Sequence, residues 1–163
     1  MKRLLALLLV LGGLYLGYGA VRRLLASDEV KIGWLLDEMA DNFNRGRPRA
    51  TTDGLTFDFV DETRGVSKDA IRGYLTQLYF RARDPKTKEF TYRVELPRSE
   101  RTLELLGTPH HAKVQLTARF HERRGGEESL VWEVEIDADL LHSDPGWQIA
   151  RTRHKTLRGR RID

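Results

Sequence analysis

The chain has 163 residues, a formal net charge of +4 and no cysteine, which leaves room for one globular domain behind an N-terminal segment. Without cysteine it forms no disulfide, carries no thiolate nucleophile or cysteine-bound zinc, and takes no lipoprotein-type acylation; the redox compartment stays open. Much of the positive excess lies in Arg151, Arg153, Lys155, Arg158, Arg160 and Arg161, with no aromatic residue among these cations of the kind that single-strand binders use, so a solubilising basic tail over 156–163 is expected rather than a nucleic-acid site.

Residues 4–21 are almost wholly apolar, between Lys2-Arg3 and Arg22-Arg23. Their length is at the low end of the roughly 17–25 residues that span a bilayer. A cleaved signal needs small residues before the cut, and Tyr18 stands where one is required ahead of Ala20, so an uncleaved single-pass anchor is preferred and secretion after cleavage is the alternative. With basic pairs on both sides the orientation is not decided by charge alone; a cytoplasmic N-terminus with the domain outside is the favoured arrangement. The domain organisation expected is an anchor and juxtamembrane segment over 1–26, a folded domain over 27–155 and the basic tail.

Ser27, Asp28 and Glu29 read as a helix start, the hydroxyl capping backbone amides and the carboxylates facing the positive dipole end. Ile32, Leu35, Leu36, Met39 and Phe43 form its apolar stripe to about Asn44, where Gly46 and Pro48 stop it. Asp37, Glu38 and Asp41 fall on the polar face and read most simply as solvated. After a loop over 46–54, alternation of Leu55, Phe57 and Phe59 marks a short strand carrying Asp58. Ser67 then caps a second helix whose buried stripe is Ile71, Tyr74, Leu75, Leu78 and Ala82. Phe90, Tyr92, Val94 and Leu96 alternate as the next strand until Pro97, and Leu103 and Leu105 resume it.

The strongest signal is the meander from Ala112 to His154. Val114, Leu116, Ala118 and Phe120 share one face of a strand, and Leu130, Trp132, Val134, Ile136, Ala138 and Leu140 one face of the next, across a Gly125-Gly126 turn. Setting Phe120 opposite Trp132 puts Arg119 opposite Glu133 and Lys113 opposite Asp139, so both faces agree on one register. In the third strand, strict alternation from Trp147 and Ile149 would carry Arg151 and Arg153 to the inner face. Burying cations there is costly, so the favoured reading is a bulge that turns them outward or a frayed open end of the sheet, and the alternative is that they floor a polar pocket.

Chemistry-bearing motifs are few. His110-His111 and His121 lack metal-ligand spacing, His154 lies among basic residues, and no phosphate loop or nucleophile elbow occurs. No cofactor or metal is expected. The candidate ligand-binding residues are Tyr74, Trp132, Arg151, Arg153 and Asp58.

The order of elements, with SKDAIRGYL after LTFDFVD and the closing DPGWQIARTRH, resembles the nuclear transport factor 2-like superfamily, also called SnoaL-like or cystatin-like, over about 28–154. The resemblance implies an α+β cone: a strongly bent antiparallel sheet covered by N-terminal helices, here preceded by one transmembrane helix. It implies either a non-catalytic binding or assembly module or, as the alternative, an enzyme or carrier of the ketosteroid isomerase kind with an arginine-lined pocket. Val134 and Ile136 stand at central inner positions where such enzymes place polar groups, which favours the binding module. The partners left open are a protein, a small anionic or carbonyl ligand, a second copy of the chain and the membrane through 4–21.

Overall fold

The structure, a computed structural model, describes residues 25–107, 110–144 and 146–162. Among the described residues no helix is long and apolar enough to cross a membrane, and the expected anchor at 4–21 lies outside them.

Helix α1 (Asp28–Asn44) buries Ile32, Leu36 and Phe43, the predicted stripe at spacings of three and four. Ser27 holds the cap position but its hydroxyl caps no amide; it interacts with the Glu29 carboxylate instead. The expected loop after α1 contains a short helix α2 (Pro48–Asp53), because Pro48 pre-sets the first-turn φ and has no amide to satisfy. Gly46 adopts φ +61 with the Tyr79 ring against it, so no side chain fits there. Helix α3 (Lys68–Arg81) starts as expected, with Ser67 Oγ accepting from the Ala70 amide at 3.4 Å.

Among the described residues seven strands build one sheet: β1 (Leu55–Asp61), β2 (Val66–Ser67), β3 (Tyr92–Glu95), β4 (Thr102–Leu105), β5 (His111–Arg124), β6 (Glu127–Ser143) and β7 (Gly146–Gly159). Their order is β2-β1-β7-β6-β5-β3, with β4 also on β5. The β5–β6 ladder has the expected register: Phe120 opposite Trp132, Arg119 opposite Glu133 and Lys113 opposite Asp139. A bulge at Phe120/His121 then sets His121 against Leu130. The sheet is not wholly antiparallel, since β1 runs parallel to β7. Alternation in β1 also fails: Thr56 is buried and Phe57 is 97% exposed, while Leu55 and Phe59 point inward. The register break between Leu55 and Val60 re-aims the side chains between them. Beyond the expected domain end, β7 continues to Gly159 and Ile162 is buried, so most of the stretch read as a basic tail is part of the fold.

The core lies between the inner sheet face and the helices, centred on Ile32, Val114, Val134 and Leu140. Asp37, expected on a solvated face, instead accepts from Arg98 Nη2 at 2.5 Å and Arg101 Nη2 at 2.7 Å. It thereby ties the turn Arg98–Glu100 to α1. Arg101 is only 11% exposed in its side chain, so it depends on this partner. Burial pushes the Asp37 carboxyl up, but the hydrogen bonds from Arg101 and Arg98 outweigh it and leave the group below the ordinary carboxylate range.

Two stability measurements follow from this packing. Leu140→Ala, at a fully buried position, is expected to lower unfolding free energy by about 3 kcal/mol in urea titrations. Asp37→Asn is expected to cost about 1.5 kcal/mol at neutral pH. A carboxylate with a depressed folded pKa stabilises above its unfolded value and loses that contribution as pH falls through the folded one. Stability should therefore fall less steeply in the variant than in the wild type below about pH 4; parallel acid titrations of the two would refute the Asp37 assignment.

Candidate functional site

The arrangement of the polar groups from Trp147 to Thr156 follows from one unpaired residue, and a second bulge at Leu157 sets Arg158 opposite Glu133. Asp139 stands opposite Arg151 and Leu140 opposite Ile149, which leaves Ala150 as an extra residue in β7. Before it, Trp147 and Ile149 are buried, and Trp147 donates its Nε1 to Asp28 Oδ1 at 3.2 Å, a hydrogen bond that is the main cause of the lowered Asp28 pKa. After it, alternation is reversed: Thr152 and His154 turn inward, and Arg151 and Arg153 turn outward with side chains 66% and 71% exposed. Of the expected bulge or frayed end, the bulge is present, and the arginine-floored inner pocket is not formed. Glu62 receives both cations, Arg153 Nε at 2.5 Å and Arg151 Nη1 at 3.5 Å. The hydrogen bond from Arg153 holds the Glu62 carboxyl below its ordinary range.

The outward arginines join a charged surface. On this face β6 presents Glu133, Glu135, Asp137 and Asp139, opposite Arg158, Lys155, Arg153 and Arg151 of β7. On its other side Arg119 pairs with Glu133 at 2.8 Å, and Lys113 lies opposite Asp139. A shallow basin of about 350 Å³ opens here, lined by Glu62, Glu104, Lys113, Asp137, Asp139, Arg151 and Arg153 among others.

The inner side is filled by the chain itself. The Tyr74 hydroxyl donates to the Ile162 carbonyl, and the Arg161 guanidinium lies 4.9 Å over the Tyr74 ring. Ile162 is 7% exposed within the core cluster. Trp132 stacks on Phe120 with centroids 4.9 Å apart and donates Nε1 to Thr156 Oγ1 at 3.1 Å. Of the five candidate residues, Tyr74 and Trp132 therefore face the interior but spend these donors on residues of β7 and the segment after it. Arg151 and Arg153 share the outer face, and Asp58 is exposed on β1.

Two clusters were not visible in the sequence. His154 Nδ1 lies 3.2 Å from Asp61 Oδ1, with side chains 15% and 10% exposed, beneath the edge of the Trp132 ring at 6.2 Å. An Asp–His pair shielded from water is capable of moving a proton when an acceptor or donor reaches the second ring nitrogen. The signal for it, an alternation that brings His154 inward, depends on the bulge. His121 lies with Glu95 and Glu128, whose ligand atoms and its own all fall within 4.8 Å of one another. The donor types suit a divalent cation, but Arg93 lies 3.2 Å from Glu95 and 4.0 Å from Glu128 and already supplies the counter-charge.

No family model matches the sequence, and no curated protein does. Solved structures do match its shape. A nuclear transport factor 2-like protein with a cystatin-like fold from Novosphingobium aromaticivorans superposes with a TM-score of 0.68 at 16% identity, covering 86% of this chain and 89% of that one. The chain has the nuclear transport factor 2-like, cystatin-like fold. A scytalone dehydratase candidate from the same organism shares this cone at a TM-score of 0.62 and 11% identity, over 81% of this chain and 87% of that one. A candidate calcium/calmodulin-dependent protein kinase II association domain from Xanthomonas campestris does so at 0.60 and 16%, over 81% and 89%. At these identities the cone is shared and its use is not fixed.

Tyr74→Phe removes the hydroxyl that holds the Ile162 carbonyl. It is expected to raise amide hydrogen exchange at 160–162 about fivefold, the loss of roughly one neutral hydrogen bond, while exchange in β5 and β6 stays as in the wild type.

Proposed function

We propose that the chain is a non-catalytic binding or assembly module, held at a membrane by residues 4–21, that works through the outer face of its sheet. The observation that carries this reading is the division of labour between the two faces. The inner face is used by the core, with Val134 and Leu140 at 1% and 0% exposure and Ile162 buried in the same cluster. The outer face keeps its charged groups in water around an open basin. A surface of this kind suits recognition of a charged macromolecule, with steering and register set by electrostatics more than by buried area.

A second reading rests on the Asp61–His154 pair. A cone enzyme or carrier of the dehydratase kind would use that dyad, with the segment after Gly159 displaced to admit a small anionic or carbonyl compound. Native mass spectrometry of the full chain released from non-ionic detergent separates the two. Ligand-free chain, with no small-molecule mass gained when residues 160–163 are deleted, is the result expected for the module. A mass excess that disappears on denaturation would overturn it in favour of the second reading.

A further inference from the structure

At the Gly125-Gly126 end of the sheet, three neighbouring strands bring one imidazole and two carboxylates together. Glu95 comes from β3, His121 from β5 and Glu128 from β6, and one donor atom of each lies within 4.8 Å of the others. A backbone irregularity builds the cluster. Phe120 pairs with Trp132 but His121 with Leu130, so Val131 is an extra residue of β6. Without it Glu128 would stand opposite Arg124 and share the face of Phe120. With it Glu128 stands opposite Arg123, on the face of His121. Glu95 is on that face too, because His121 pairs with Arg93 and Val94 between them is buried in the core.

Two observations point to a cation. The first is His121 Nε2, which is buried without a hydrogen-bond partner; Glu95 Oε2 lies 3.8 Å from it, beyond hydrogen-bond range. A polar atom left in this way is costly, and ligation of a metal ion satisfies it. The second is the charge balance. Arg93 stands 3.2 Å from Glu95 and 4.0 Å from Glu128, one positive charge against two negative ones. The arginines flanking His121 on β5 are engaged elsewhere, Arg119 by Glu100 and Glu133 and Arg123 by Glu89.

We propose that Glu95, His121 and Glu128 form a divalent-metal site guarded by Arg93, the ion and the guanidinium competing for the same two carboxylates. One imidazole with two carboxylates suits Zn²⁺, which takes four ligands, better than Ca²⁺ or Mg²⁺, which ask for six or more oxygens. Tetrahedral zinc sets its ligand atoms about 3.4 Å apart, and the torsions of two long glutamate side chains supply the closure this needs. The Arg93 side chain is 58% exposed, so it leaves for solvent as the ion enters. Three protein ligands leave the fourth zinc position to water or a small anion. The ion would pin β3, β5 and β6 to one another within a single chain, whatever partner the outer face takes.

The test uses the tag-free full chain in non-ionic detergent, stripped of metal with a chelator, titrated with Zn²⁺ alone and followed by calorimetry. Wild type should bind one ion per chain. His121→Ala and Glu128→Gln should each weaken binding at least about tenfold, since changes outside the ligand shell already cost that much. Arg93→Gln should tighten it about two- to fivefold, the weight of one exposed ion pair. A gain of this kind does not come from a misfolded chain. His110→Ala, at a histidine outside the cluster, should leave the affinity unchanged. Co²⁺ in place of Zn²⁺ should give the strong visible absorption of a tetrahedral site in wild type and not in His121→Ala.

Wild type that takes up no Zn²⁺, or takes it up with an affinity that neither His121→Ala nor Glu128→Gln alters, overturns the site. An Arg93→Gln chain no tighter than wild type overturns the competition. None of these results bears on whether the cone holds a small molecule, which the mass measurement decides separately.

Discussion

The extra residue at Ala150 is the constraint on which the rest of the arrangement depends. A strand alternates with period two, so one inserted residue exchanges the faces of the residues after it, here as far as the second bulge at Leu157. Without it, the hydrophobic contacts of Trp147 and Ile149 and the charges of Arg151 and Arg153 would compete for the same inner face. With it, the apolar pair seals the core against α1 and the cations reach Glu62 and the acidic column of β6. The same insertion turns His154 inward onto Asp61. This irregularity thus places Arg151 and Arg153 on the outer face and His154 on the inner one, while a second bulge at Leu157 sets Arg158 opposite Glu133.

The two faces of the sheet answer different physical demands. Inside, packing leaves little space, and the segment after β7 contributes Ile162 to the core. Outside, opposite charges on neighbouring strands stabilise the ladder laterally, each pair by roughly 0.2–1 kcal/mol. Charges already satisfied within the sheet keep their sign towards solvent, so the pattern that holds the strands together is also a pattern that another surface can read. Shape alone does not show this, because proteins with the same cone carry out different tasks.

Much of the architecture was legible in the sequence. The β5–β6 register followed from two periodicities that had to agree, and the stripe of α1 from spacings of three and four. What escaped notice depended on contacts far apart in the chain. Asp37 looks solvated from its helix alone, and only the return of Arg98 and Arg101 makes it a tie point. Phe57 looks buried from alternation, until the parallel pairing of β1 with β7 breaks register. Arg151 and Arg153 had two readings because a bulge leaves no mark in residue type when the inserted residue is an alanine. The Asp61–His154 pair was hidden for the same reason, since its residues meet only after the bulge has been placed.

The pairing of β1 with β7 also bears on the order in which the molecule is assembled. Strands β5, β6 and β7 are joined through a tight Gly125-Gly126 turn and a short connection, whereas Thr63 and His154, which bond across the β1–β7 seam, are 91 residues apart. Loop-closure entropy makes the local hairpins inexpensive to form and the distant seam slow. Trp147, hydrogen-bonded to Asp28 at the very start of α1, belongs to the late group. Helix α1 is thus expected to dock onto a sheet formed before it, with the Trp147 indole as the group whose environment changes at that step.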